Sequence, residues 1–168
     1  MEKLIDSAAE SLSLLRMKKP LIHYIANYVV ANFAANSLLT AGAYPVMACA
    51  KEEVVEVVSM ADALALNIGV PTGEKLSAML AAGLKANERG IPAVLDPVGS
   101  GGASFRTAAA RQLIDNIDFI AIRGNPSEIF SLVSDEAETR GVDTLLSVED
   151  ISETAPLIAR KLKTTVVV

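Results

Sequence analysis

The residues best suited to chemistry fall in two short stretches. In LDPVGSGG, Asp96 is followed by Pro97 and then by the run Gly99-Ser100-Gly101-Gly102. In AIRGNPSEI, Arg123 precedes Gly124 and Asn125, and Glu128 lies one helical turn on. Two carboxylates offering oxygens, directly or through water, suit Mg²⁺, which keeps much of its hydration and takes few protein ligands. An arginine presents a planar fork of donors to phosphate oxygens. Phosphoryl transfer is mostly positioning and charge neutralisation, so such a set serves part of that task. Each member also has a plainer role. Asp96 before a proline fits a turn, Glu128 fits a first-turn carboxylate favoured by a helix dipole, and Arg123 with Glu128 fits a surface ion pair. The glycine run matches neither a Walker A loop nor a dinucleotide fingerprint, and fits a flexible connector equally well.

Three further side chains carry weaker signals. His23 is the only histidine; beside an apolar strand it is expected to be satisfied and partly buried. One His and one Cys do not make a zinc site. Cys49 stands among small apolar residues, with Lys51 as its basic neighbour, and is expected to serve packing. Met47 fits a core filler or an apolar wall for a ligand.

The elements that must position these residues follow from hydrophobic periodicity. Leu4, Ile5, Ala8, Leu12 and Leu15 have helical spacing over residues 2–18, and Pro20 ends that helix. Residues 21–25 read as a strand, and Asn27 can cap a helix over 28–40 that Gly42 stops. A second strand is expected at 44–48 and an acidic helix at 51–60. The continuous apolar run 63–68 marks a strand buried on both faces. A helix at 72–89, a strand at 92–95, a helix at 104–116, a strand at 119–122 and a helix at 126–133 follow. Ser134 to Asp143 is expected to be a loop, 148–163 a helix, and Thr164 to Val168 a last strand. Alternation at these lengths predicts an α/β fold with a mainly parallel sheet and covering helices, in a single domain over 1–168. In such sheets ligands bind beyond the C-terminal strand ends. Those ends gather Asn27, Met47, Asn67, Gly69, Asp96, Arg123 and, a turn later, Glu128.

Composition narrows the class. Of 168 residues, 51% are hydrophobic and 21% charged, the balance of a globular chain. The net charge of −5 argues against non-specific nucleic-acid binding, which needs Lys and Arg to displace counterions. A single cysteine rules out an internal disulfide and fits a cytoplasmic location. No signal peptide is read at the N-terminus, and the uncharged stretch 20–50 is too polar and broken for a membrane span. The closing TTVVV run has the make-up of an internal strand, so further elements are expected after Val168.

Several blocks, in order and in register over about residues 20–130, resemble one family. PLIHYIANYVVANFAANSLLTAGAYPVMACAKEEV, ALALNIG, ANERGIPAVLDPVGSGGASFRT and AIRGNPSEI are similar to hydroxyethylthiazole kinases. The resemblance implies a ribokinase-like three-layer fold and ATP- and Mg²⁺-dependent phosphorylation of the hydroxyl of 4-methyl-5-(2-hydroxyethyl)thiazole in thiamine salvage, by a homotrimer. By motif it implies that Met47 and Asn27 face the thiazole, Arg123 the ATP phosphates, and Asp96 and Glu128 the metal. Two departures stand out. Ala26 replaces the family's threonine, and nothing in 1–168 matches the glycine-rich GTGC block whose cysteine acts as base; Cys49 lies in a different motif. The resemblance therefore places the family's cysteine base beyond Val168 and leaves no catalytic residue within 1–168. The expectation is a chain inactive alone. The alternatives are a non-catalytic thiazole- or nucleotide-binding module, or a sister vitamin-precursor kinase acting on a hydroxymethylpyrimidine.

Overall fold

A computed structural model describes residues 2–134 and 148–168. Helix α1 (Glu2–Lys18) leads into β1 (Leu21–Ile25), and α2 (Tyr28–Ala41) connects to β2 (Tyr44–Val46). Then come α3 (Val54–Met60), β3 (Ala63–Asn67), α4 (Gly73–Glu88) and β4 (Ala93–Asp96). The order closes with α5 (Ser104–Asn116), β5 (Ala121–Arg123), α6 (Pro126–Ser131), α7 (Val148–Leu162) and β6 (Thr165–Val167). Most of the loop expected over Ser134 to Asp143 lies outside the described residues.

The six strands form one parallel sheet in the order β2-β1-β3-β4-β5-β6. The chain steps from β1 outward to β2, then reverses and builds the rest on the other side of β1. Crossovers between parallel strands are right-handed. A reversal in stepping direction therefore sends α2 to one face of the sheet and the later helices to the other, which gives three layers.

Strand alternation shows the result. His23, Ile25, Leu64, Leu66, Leu95 and Ile122 are buried on the face that α3, α4 and α5 cover. Val54, Val58, Ala78, Met79, Ala82, Ala109, Ala110 and Leu113 meet them there. Many of these are alanines, so the helices lie close to the sheet. The opposite face, carrying Ile22, Tyr24, Ala65, Val94 and Arg123, is only half covered, with α2 beside it. Helix α1 is exposed along nearly its whole length, so its apolar spacing does not feed this core.

β2 and α6 each end two residues earlier than expected, and four other elements shift for a hydrogen-bonding reason. β4 includes Asp96, because Asp96 pairs with Asn67 in register and its carbonyl accepts from the Ile68 N–H at 3.2 Å. β5 is displaced to end at Arg123, whose register partner is Val167. α3 starts at Val54, whose N–H closes the preceding turn onto the Ala50 carbonyl at 3.1 Å. The last strand is shorter than expected at both ends. The Thr164 N–H is spent on the Ala159 carbonyl at 3.1 Å, closing α7, and the ladder to β5 stops at Val167. Val168, expected inside the strand, therefore stands outside it, 49% exposed. The strand lies beside β5 in the sheet formed by the described residues.

The close approach of α4 to α5 depends on one missing side chain. A Cβ on Gly83 would stand 2.2 Å from Ile117 Cδ1 and 2.7 Å from its Cγ1. Gly83→Ala gains about 1 kcal/mol of helix propensity, but overpacking costs about 1–3 kcal/mol. Urea unfolding should show a net loss for Gly83→Ala, partly restored when Ile117→Val removes Cδ1. A Gly83→Ala protein more stable than the parent would contradict this packing.

Candidate functional site

The reversal at β1 opens a crevice between the C-terminal ends of β1 and β3, the place where open α/β sheets bind ligands. Asn27 stands at one lip. It caps α2, with Oδ1 accepting from the Val29 N–H at 2.8 Å and the Val30 N–H at 3.2 Å. This is why the helix begins there: the cap satisfies donors that no carbonyl reaches. Asn27 Nδ2 then donates to Asn67 Oδ1 at 2.9 Å, across the crevice. Asn67 ends β3 and donates in turn to Asp96 Oδ2 at 2.8 Å. Thus Asn27 and Asp96, two of the residues singled out from sequence, are joined through a third that had been placed at a strand end but given no role.

Asp96 is half-buried. Burial first, and then the nearby Glu128 charge, push its carboxyl above the ordinary 3.8. The Asn67 hydrogen bond and the Arg123 guanidinium pull the other way. Arg123 itself is exposed at the end of β5 and lines the same groove as Asp96, Asn67 and Tyr24. That groove, about 440 Å³, runs between α2 and the half-covered sheet face, with Phe33 on its helix side. Tyr24 sits within it, its phenol pushed above 10.0 chiefly by burial and next by the Asp96 charge.

Glu128 is more committed. Its Oε2 accepts from the Asn125 N–H at 2.9 Å while Asn125 Oδ1 accepts from the Glu128 N–H, a reciprocal capping box that starts α6. Its Oε1 accepts from the Gly99 N–H, also at 2.9 Å. The first-turn reading of Glu128 is thus seen directly, and among the described residues it makes no ion pair with Arg123. The glycine run is a formed turn rather than a loose connector: Ser100 N–H donates to Pro97 O and Gly102 N–H to Gly99 O. Gly99 and Gly101 have φ of +77° and +89°, which side chains disfavour.

Among the described residues no three His, Cys, Asp or Glu converge. A metal here would take two carboxylates at most. Asp96 has one oxygen committed to Asn67 and is raised by the neighbouring carboxylate, so added positive charge would favour its ionised form. Such a pair fits a hydrated Mg²⁺ shared with substrate phosphates, and does not fit a structural zinc.

Met47 follows β2 and is half-buried. The loop that carries it is tied to β1 by His23, whose Nε2 lies 2.8 Å from the Ala48 carbonyl. A carbonyl only accepts, so Nε2 carries the proton. His23 is therefore more buried and less satisfied than its sequence suggested: it is 0% exposed, and Nδ1 has no partner among the described residues. Cys49, expected in packing, is exposed. Lys75, not singled out beforehand, is buried at the start of α4. Its Nζ donates to the Ala26 carbonyl at 3.2 Å and lies 4.9 Å from the Tyr28 ring centre. The sequence signal for Asn67 was a polar residue closing an otherwise apolar strand; for Lys75 there was none.

Comparison with known proteins shows the family and the fold. The model of the hydroxyethylthiazole kinase family matches residues 12–168. The hydroxyethylthiazole kinase of Desulfotalea psychrophila is 52% identical over 94% of this chain and 58% of its own length. That of Alkaliphilus metalliredigens is 43% identical over 98% of this chain and 60% of its own. The solved structure of the hydroxyethylthiazole kinase from Pyrococcus horikoshii superposes with a TM-score of 0.84 at 39% identity, covering 95% of this chain and 59% of that one. The chain thus spans about three-fifths of the length of the relatives it matches.

His23 generates a pH dependence. Desolvation lowers its pKa below 6.5, against the Ala48 hydrogen bond and the Glu53 charge. The unfolded chain takes up the proton first, so stability from a neutral His23 is present above about 6.5 and lost as pH falls below it. The slope is at most about 1.4 kcal/mol per pH unit. Asp96, raised in the fold, acts in the opposite sense, so a comparison of variants isolates the histidine. Denaturation midpoints between pH 5 and 7 should vary less for His23→Gln than for the parent; equal slopes would show that His23 does not titrate this way.

Proposed function

Because the chain belongs to the hydroxyethylthiazole kinase family, we propose that it supplies the substrate- and metal-facing half of an enzyme that phosphorylates the hydroxyl of 4-methyl-5-(2-hydroxyethyl)thiazole with ATP. One observation carries the reading beyond family membership: the line Asn27–Asn67–Asp96 runs from a polar pocket lip at the sheet's switch point to a half-buried carboxylate at the end of the next strand. In this reading residues 1–168 act as one kinase unit. Asn27 and Met47 bound the thiazole, and Arg123 binds ATP phosphates through its planar fork. Asp96 and Glu128 hold Mg²⁺, which when bound neutralises charge on the transferring phosphoryl group. We assign no catalytic base within residues 1–168. In this reading the base belongs to the part of the relatives' length that this chain does not match.

The chain's own residues do the positioning. The α2 cap fixes Asn27 at the crevice lip. The His23–Ala48 bond fixes the loop behind Met47. Glu128 holds the Gly99 turn against α6, so the loop after Asp96 keeps its shape as phosphates approach. Exposed apolar side chains on α2, Tyr28, Val29 and Phe33 among them, support association of copies, and we read the assembly as a homotrimer. The single, exposed Cys49 is compatible with a reducing cytoplasm.

The test is direct. The intact gene product should convert hydroxyethylthiazole to its phosphate with ATP and Mg²⁺; turnover of a hydroxymethylpyrimidine instead would move it to a sister kinase. In the same assay Asp96→Ala should lower kcat by roughly ten- to thousandfold, the range for loss of one electrostatic stabiliser. Near-normal turnover of Asp96→Ala at saturating Mg²⁺ would remove the metal role from that residue.

A further inference from the structure

We infer that Asn67 is a positioning residue that fixes the thiazole side and the metal side of the site to each other through one rigid amide; the inference rests on the function proposed above. Asn67 is 3% exposed and lies between β1 and β4 at the switch point. Backbone donors settle its orientation. The Gly69 N–H donates to Asn67 Oδ1 at 3.0 Å, so the oxygen end is fixed and Nδ2 must face Asp96. Asn27 is oriented in the same way by the Val29 and Val30 N–H groups on its Oδ1, which leaves Nδ2 for Asn67. Neither amide can flip without setting donor against donor.

All the hydrogen bonds in this line run in one direction. The α2 N-terminus donates to Asn27, Asn27 to Asn67, and Asn67 to the Asp96 carboxylate. Each amide is polarised by the next, and the charge on Asp96 stands at the receiving end. The line also needs a bare backbone beside it. A Cβ on Gly69 would lie 2.2 Å from Asn27 Nδ2 and 2.9 Å from Asn67 Oδ1. The glycine therefore admits both amides and supplies the N–H that orients one of them.

Asn67 thus has two separable jobs. Its Oδ1 holds the amide of Asn27 at the thiazole lip. Its Nδ2 holds one oxygen of Asp96, which sets how that carboxylate presents the other. Two substitutions divide them. Asn67→Asp keeps an acceptor for Asn27 and Gly69 but faces Asp96 with an oxygen. Gly69→Ala presses on Asn27 and the acceptor side while leaving the donor toward Asp96 in place.

The experiment uses the intact gene product. Half-saturation for Mg²⁺, KM for hydroxyethylthiazole and kcat are measured, together with calorimetric affinity for hydroxyethylthiazole without metal or nucleotide. For Asn67→Asp we expect the Mg²⁺ half-saturation to rise about ten- to hundredfold, the scale of losing a hydrogen bond to a charged group. Metal-free affinity for the alcohol should stay within about threefold of the parent. For Gly69→Ala the pattern should invert, with weaker alcohol binding and a near-parental Mg²⁺ requirement. If Asn67→Asp does not fold, Gly69→Ala alone decides the matter, since it leaves Asn67 in place. Variants that lower kcat with both half-saturations unchanged, or that move both together, would overturn the inference. A parent protein with no turnover of the alcohol would overturn the functional assignment and this inference with it; an active parent with unsplit variants overturns the inference alone.

Discussion

The handedness of a single crossover sets out the whole molecule. A right-handed path from β1 to β2 places α2 on one face of the sheet, and the return past β1 to β3 places the later helices of the described residues on the other. Two things follow from that one reversal. The chain leaves the paired ends of β1 and β3 toward opposite faces, so a crevice exists for Asn27 and Asn67 to bridge. The sheet face beside α2 is left half covered, so a groove exists for Tyr24, Asp96 and Arg123 to line. The site's location is thus a property of strand order before it is a property of any side chain.

Within the site, the two carboxylates differ in what already holds them. Glu128 accepts from the backbone at both oxygens, binding the α6 start to the Gly99 turn. Asp96 accepts through one oxygen from an amide, and its half-buried carboxyl is raised by burial and by Glu128. Glu128 is consequently a brace with charge, and Asp96 a charge with a single brace. Incoming positive charge would be felt first at Asp96, while removing Glu128 would loosen the turn that follows Asp96.

Local pattern carried much of the fold. The apolar run over 63–68 announced a strand, although only the Leu64 and Leu66 face is fully buried while Ala63 and Ala65 lie on the half-covered one, and Asn27 with Gly42 bracketed α2 closely because caps act on their own helix ends. The placement of Asp96, Arg123 and Glu128 at or just after strand ends was legible because the strand-end rule applies to each strand separately. What escaped were relations between distant segments. Asn27 and Asn67 are 40 residues apart, Asn67 and Asp96 are 29 apart, and their hydrogen bonds exist only once strand order is known. The His23–Ala48 bond, which left one ring nitrogen without a partner, was hidden for the same reason. Val168 reads as strand by its side chain alone, yet the ladder to β5 pairs Arg123 with Val167 and ends with the Gly124 N–H on the Val167 carbonyl. The apolar spacing of α1 showed a helix but not what it would pack against, and its side chains lie largely in solvent.

An all-parallel sheet also has a consequence in time. It has no hairpin to start from: its closest pairing in sequence is Leu21 with Tyr44, and Ile22 with Ala63 must close a longer loop around a strand already flanked. Loop closure is costly before such contacts form, so folding of this topology is slow compared with helical or hairpin-rich chains. The crevice forms only once β1 is paired on both sides, with β2 and with β3. Binding competence therefore depends on a long-range ladder, and a chain lacking only the pairing of β1 with β3 could keep its helices yet would have no crevice.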